Sequence, residues 1–242
     1  MSVNFANYQN MPVGGKKINR FKNTSNLFGL QVQKVYIVLL NKNNSQIIEN
    51  EINNNLDYNG NFARKIYEYH KMTSGGSFPE YKQTAVLDVV RMIDFENSTQ
   101  IWRFRNNRKY LTKMVDYIVD PSSIFWNDLA NGNPNLVGNL INANSAPKTV
   151  DGPRSLASKI CRYLSLYHFN ADAYYVNDSV VRHVLPYYLN YYGLTLPSKN
   201  KTYFDHISYN DLHNYLEKIR SQICPNLTKE ELDHLMWYCY KK

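Results

Sequence analysis

Apolar residues recur at helical spacing along most of the chain and alternate in strand fashion almost nowhere. An apolar stretch over residues 27–50 (Leu27, Leu30, Val35, Val38, Leu39) runs into polar, Asn-rich sequence. Residues 62–72 form a short amphipathic pattern stopped by Thr73-Ser74-Gly75-Gly76, and residues 81–92 bring Ala85, Val86, Val89, Val90 and Ile93 onto one face. A further helical segment covers 99–119, Asp120-Pro121-Ser122 breaks it, residues 123–129 add a turn or two, and Asn131-Gly132-Asn133-Pro134 is a loop. In the C-terminal half, residues 155–168 are amphipathic, and 178–192 opens on Asp178 as N-cap. Residues 209–224 follow Ser208, and 228–240 opens with a capping box from Thr228 to Glu231. Only Val35-Tyr36-Ile37-Val38-Leu39-Leu40 reads equally well as a strand. The pattern predicts an all-α protein.

Its organisation follows. Residues 1–25 read as a flexible basic arm, and 26–242 as a helical domain with an N-terminal part (26–130) and a C-terminal part (145–242). With 43% hydrophobic and 20% charged residues the chain has the composition of a globular protein, which excludes wholesale disorder. The six-residue run from Val35 to Leu40 is the longest apolar one, far short of the roughly 20 residues needed to span a bilayer. No membrane association is expected. The cluster Lys16, Lys17, Arg20, Lys22 has no apolar segment behind it, and Cys161, Cys224 and Cys239 include no CxxC pair. A cytoplasmic location is therefore expected. Twenty-eight Lys and Arg against 20 Asp and Glu leave a net charge of +8, which favours a polyanionic partner. The 21 tyrosines follow the same compositional bias as the Asn, Lys and Ile, so they are not stacking platforms by number alone.

The most informative stretch is Pro153-Arg154-Ser155-Leu156-Ala157-Ser158-Lys159 with Tyr175-Val176-Asn177-Asp178-Ser179. The spacing predicts Lys159 in the first turn of a helix, beside small residues that allow close backbone approach. Nineteen positions later Asp178 caps the next helix. An amine beside a helix N-terminus can lose its proton more readily and become nucleophilic. The backbone N–H groups of residues 155–158 are expected to point at a phosphate.

These segments resemble the helix–hairpin–helix DNA glycosylases, the superfamily of endonuclease III and 8-oxoguanine DNA glycosylase. Lys159 stands at the family's nucleophilic lysine and Asp178 at its essential aspartate. Ser155-Leu156-Ala157 occupies the place of Gly-Val-Gly, and Tyr175 that of the proline before the aspartate. The iron–sulfur branch needs four cysteines, and the tail offers only Cys224 and Cys239. The resemblance covers about 90 residues from Pro153 onward and suggests a divergent bacterial member.

The resemblance implies a helix–hairpin–helix glycosylase-like fold of two packed helical subdomains holding double-stranded DNA that carries a damaged or modified base. It implies a bifunctional glycosylase and abasic-site lyase. The target nucleotide would be flipped out at a cost of a few kcal/mol. Lys159 would attack C1′, expel the base and form a Schiff base, with strand cleavage by β-elimination. Asp178 would stabilise charge developing on the sugar. No metal, cofactor or obligatory protein partner is implied.

Other residues are candidates for DNA contact. Arg154, Ser155, Ala157 and Ser158 surround the expected hairpin, and Arg182 lies one turn beyond Asp178. The stretch 102–110 interleaves Trp102 and Tyr110 with Arg105, Arg108 and Lys109, as a nucleic-acid surface would. Tyr174 and Tyr175 are candidates for stacking on a flipped base, against the alternative of core packing. Two other readings stand beside the enzyme. One is a catalytically inactive DNA-binding module of the same fold. The other is a ribonuclease, because the spacings Arg64 to His70 and Arg162 to His168 are similar to the Arg-x4-6-His of the HEPN ribonucleases. The histidines and cysteines show no metal-ligand spacing.

Overall fold

The computed structural model describes residues 10–12, 36–53, 61–75, 82–97, 99, 101–102, 107–143, 152–194 and 201–237. The all-α expectation holds in class. The described residues add one small antiparallel ladder, β1 (Asn10–Pro12) on β2 (Tyr36–Val38), with Met11 opposite Ile37. Part of the stretch read as an arm is thus a strand, and the ambiguous run 35–40 resolves to a strand at Tyr36–Val38 rather than a helix.

The chain divides into two compact units, residues 1–55 with 178–242, and residues 56–177. This division does not follow the subdivision at 130–145 read from the sequence. The first unit contains β1, β2, α1 (Lys42–Asn53), α8 (Ser179–Tyr191), α9 (Lys201–Asp205), α10 (Tyr209–Ile223) and α11 (Lys229–Trp237). The second contains α2 (Asn61–Thr73), α3 (Gln83–Glu96), α4 (Arg108–Val119), α5 (Phe125–Ala130), α6 (Asn135–Ala143) and α7 (Gly152–Phe169).

In the first unit the sequence-legible caps are all made. Asp178 accepts from the Val180 amide at 2.8 Å, Ser208 from Asp211 at 3.1 Å, and Thr228 and Glu231 bond each other's amides at 3.1 and 2.9 Å. Helix α8 is the spine, packing against α9, α10 and α11 through Val181, Val184, Leu185, Tyr188 and Leu189. The Tyr188 hydroxyl donates to the Val38 carbonyl at 2.9 Å and so joins β2 to α8. Helices α1 and α11 are bridged by Lys42 with Glu231, and by His234 Nδ1 with Glu49 at 2.6 Å.

In the second unit α3 packs on α2, α4 and α7, and α7 packs also on α5 and α6. Every residue from Leu156 to Arg162 is buried, the mark of a helix surrounded by protein rather than lying on a surface. Helix α7 starts at Gly152, three residues before the expected start, because Pro153 suits a first helical turn with its preset φ and missing N–H. It stops at Asn170, which takes the left-handed conformation (φ +52°) open to asparagine, while the Ala171 amide reaches back to the Ser165 carbonyl at 3.2 Å.

The expected helix over 99–119 begins only at Arg108. The reason is Asp94, whose buried carboxylate accepts from the Ile101 and Trp102 amides at 2.9 and 2.8 Å and from the Thr99 hydroxyl at 2.5 Å. Those amides are taken by a side chain of α3 rather than by carbonyls one turn earlier in a helix of their own, so the chain turns there. The break at Asp120 is as expected, its side chain accepting from the Ser122 amide at 2.8 Å.

Candidate functional site around Lys159

Lys159 is the eighth residue of α7 and lies in its third turn, not its first. The expectation of an amine beside a helix N-terminus is corrected accordingly. The side chain is only 5% exposed, and Nζ donates to the main-chain oxygen of Asn97 at 3.2 Å. Asn97 is the C-cap of α3 and is itself buried. Its side chain is held from both ends: Nδ2 donates to the Ile93 carbonyl at 2.9 Å, and Oδ1 accepts from the Tyr163 hydroxyl at 3.1 Å. Tyr163 lies four residues after Lys159, hence one turn along the same face of α7. Neither Asn97 nor Tyr163 was singled out from the sequence. The i,i+4 spacing from Lys159 was the available signal for Tyr163, whereas nothing local marks Asn97.

Ser158 has two jobs. Its hydroxyl donates to the Ser155 carbonyl at 2.9 Å and accepts from the Asn177 amide at 2.8 Å. After Asn170 the chain therefore returns along α7, touching it at Ser165 through Ala171 and at Ser158 through Asn177. This buried return segment carries Tyr174, Tyr175, Val176 and Asn177.

The face of α7 continues past Lys159 with Arg162, Tyr167 and His168. Tyr163 and Tyr167 stack with ring centroids 5.7 Å apart, and the Arg64 guanidinium lies 6.0 Å over the Tyr167 ring. Burial pushes the Tyr167 hydroxyl well above the usual tyrosine range, with Tyr163 and Glu96 adding to the rise and the Arg64 and Arg162 charges opposing it. His168 Nδ1 pairs with the Tyr67 hydroxyl at 2.5 Å, and its ring leans on Trp126. The two Arg-x5-His segments thus lie on α2 and α7. Arg162 is 3% exposed, and His70 pairs with Asp88 at 3.3 Å.

Several expectations are corrected by burial. Ser155, Leu156 and Ala157 are helical, so no hairpin turn forms at those three residues. Ala157 and Ser158 are fully buried within α7, where backbone N–H groups are taken by the helix, so they cannot cradle a phosphate. Ser155 and Arg154 are half-buried in the first turn. Tyr174 and Tyr175 are fully buried, and the Tyr174 hydroxyl donates to the Asp128 carbonyl at 3.0 Å. They pack the core rather than offer a face to a base. Arg182 is 3% exposed in α8 and is no surface cation. Asp178 is the N-cap of α8, as expected, and also accepts from the Ser179 hydroxyl at 3.4 Å.

The cation–aromatic surface survives in part. Arg108 and Lys109 are exposed at the start of α4, and Arg105 lies outside the described residues. The Trp102 ring has the Arg91 guanidinium 4.3 Å and the Arg108 guanidinium 5.0 Å from its centroid, and Arg108 Nε also donates to the Trp102 carbonyl at 3.1 Å. Asp94 fixes the Trp102 backbone from below. Arg91 belongs to this group and was missed, because it lies on a different helix.

Among the described residues no three His, Cys, Asp or Glu side chains gather as metal ligands, and no helix is long and apolar enough to cross a membrane. Cys161 and Cys224 are buried free thiols, and burial pushes the Cys224 thiol up to about 11. No family model, curated protein or solved structure matches the chain.

Proposed function

We propose that this protein is a DNA base-excision enzyme, a glycosylase and abasic-site lyase acting on double-stranded DNA with a damaged or modified base. The observation that carries the reading is the 2.8 Å bond from the Asn177 amide to Ser158 Oγ, across nineteen residues. It closes the loop between the positions that precede Lys159 and Asp178 in the sequence, within the unit that holds Lys159. The buried, hydrogen-bonded lysine adds support, since a nucleophilic amine must be held and shielded from water.

The chemistry balances with Lys159 as the nucleophile and water as the proton carrier. Lys159 Nζ, its proton passed to water, attacks C1′, and the C1′–N bond breaks as the base leaves with the electron pair and takes up a proton. The proton of the attached amine passes to O4′ as the C1′–O4′ bond breaks, which gives a protonated Schiff base; water then takes a proton from C2′, and the C3′–O bond breaks with its pair leaving on the 3′ phosphate. Asp178 offsets the positive charge that builds on the sugar. In the state described here Nζ is bonded to the Asn97 carbonyl, so attack requires that bond to be exchanged for the sugar.

A second reading is a DNA-binding module without turnover. It is favoured by the Arg91–Trp102–Arg108 group, which suits a nucleic-acid backbone whatever the fate of Lys159. Borohydride trapping on duplexes carrying an abasic site, 8-oxoguanine, uracil or a hypermodified cytosine separates the two. A covalent band that requires Lys159 supports the enzyme. Salt-dependent binding with no band on any duplex supports the module and removes the Schiff-base lyase, and an assay for released base then tells the module from a monofunctional glycosylase.

A further inference from the structure

We infer that Asn97 is a positioning residue for Lys159, its main-chain oxygen setting where the amine rests and Tyr163 locking Asn97 in place. The inference rests on the reading of Lys159 as the nucleophile. It comes from three bonds that meet at one buried residue. The Lys159 amine donates to the Asn97 main-chain oxygen, the Tyr163 hydroxyl donates to Asn97 Oδ1, and Asn97 Nδ2 donates to the Ile93 carbonyl.

The geometry makes this a clamp rather than a chance contact. Lys159 and Tyr163 project from adjacent turns of α7, and Asn97 ends α3, a helix packed directly on α7. A C-cap residue follows the last helical turn, so its carbonyl has no intrahelical amide to accept and can turn toward a ligand or side chain. Left to itself such a residue samples several ψ values. Here the Asn97 side chain is pinned at both ends, and at φ −95° and ψ 12° its main-chain oxygen meets the Lys159 amine. The long, four-torsion lysine side chain is then directed by an acceptor of fixed position. Reaction by in-line attack depends steeply on where the nucleophile starts, with a displacement of about 1 Å costing about a hundredfold.

The role is one of positioning, because neither Asn97 nor Tyr163 needs to touch the sugar. Tyr163→Phe removes one hydroxyl and leaves the stacking on Tyr167 intact. Asn97→Ala removes both side-chain bonds while keeping the carbonyl. Both variants and their combination are compared with wild type in three measurements: affinity for abasic-site duplex, melting temperature, and the single-turnover rate of borohydride trapping at saturating duplex.

Each single variant is expected to lower the trapping rate about tenfold with unchanged affinity. The double variant is expected to match the slower single variant to within about twofold, because both changes release the same clamp. Trapping at the wild-type rate in both single variants overturns the inference and leaves the Schiff-base reading standing. Rate losses that multiply in the double variant, or that follow a fall in melting temperature, also overturn it, since they mark a structural role. A wild-type protein that traps no duplex overturns the chemistry, and the positioning role falls with it.

Discussion

The Asn177 amide donates to the hydroxyl of Ser158 at 2.8 Å, and both groups are buried. A hydroxyl in mid-helix would ordinarily bond only to its own helix, as Ser158 also does toward Ser155. Using its lone pair for a distant amide ties the returning segment to α7. It also satisfies an N–H that has no strand or helix to join.

Ser158→Ala should therefore leave the Asn177 amide buried without its acceptor. The expected cost is about 1–3 kcal/mol of stability, the range for an unsatisfied buried donor. Urea unfolding of the two proteins measures it. A loss within error of zero would mean that the return segment is held by its apolar residues alone.

Lys159→Gln keeps a hydrogen-bond donor for the Asn97 carbonyl and removes the nucleophile. Covalent trapping should vanish while duplex affinity stays within about twofold, since one side chain 5% exposed adds little to phosphate binding. Strand nicking by the variant at the wild-type rate would exclude Lys159 from the chemistry.

Asp178 has a capping role that can be separated from a chemical one. Asparagine caps a helix as well as aspartate does, so Asp178→Asn should change stability by only a few tenths of a kcal/mol, whereas Asp178→Ala should cost about 1 kcal/mol. If the carboxylate acts on the sugar, base excision is lost in both variants. Excision retained in Asp178→Asn would leave the residue as a cap only.

Glu231 supplies a pH dependence. Its partial burial acts to raise the carboxyl, but the bonds from Lys42 and the Thr228 amide outweigh this and hold it below its ordinary 4.5. A depressed carboxyl stabilises the fold above its unfolded value, and that contribution is lost as pH falls through the folded value. Glu231→Gln should flatten the fall in melting temperature below about pH 4.5, while leaving its shape near neutrality unchanged. Identical acid limbs for variant and wild type would show that the Lys42–Glu231 bridge contributes nothing.

The Arg91–Trp102–Arg108 group should act through phosphate. Arg108→Ala is expected to weaken binding to all duplexes alike and to lower the salt slope by about 1. Binding that keeps its salt slope, or that changes for one sequence only, would remove this face as a backbone contact.

Local chemistry made much of this protein legible in one dimension. The caps at Asp178, Ser208 and Thr228, the break at Asp120 and the apolar faces around Val89 and Leu212 each depend on residues within one or two turns. A cap bonds an amide two or three positions away, so its outcome is settled wherever the helix later packs. Long-range partners decided the rest. Asp94 took the amides that the pattern assigned to a helix over 99–119, the cover over α7 turned Tyr174, Tyr175 and Ala157 from candidate contacts into buried residues, and Arg182 was buried on α8. The Lys159–Asn97 bond joins positions 62 apart, and Tyr163–Asn97 joins positions 66 apart. Periodicity says which face of a helix is apolar, but not which distant segment will cover it. Burial and the direction of a buried amine are therefore properties of the packed chain alone.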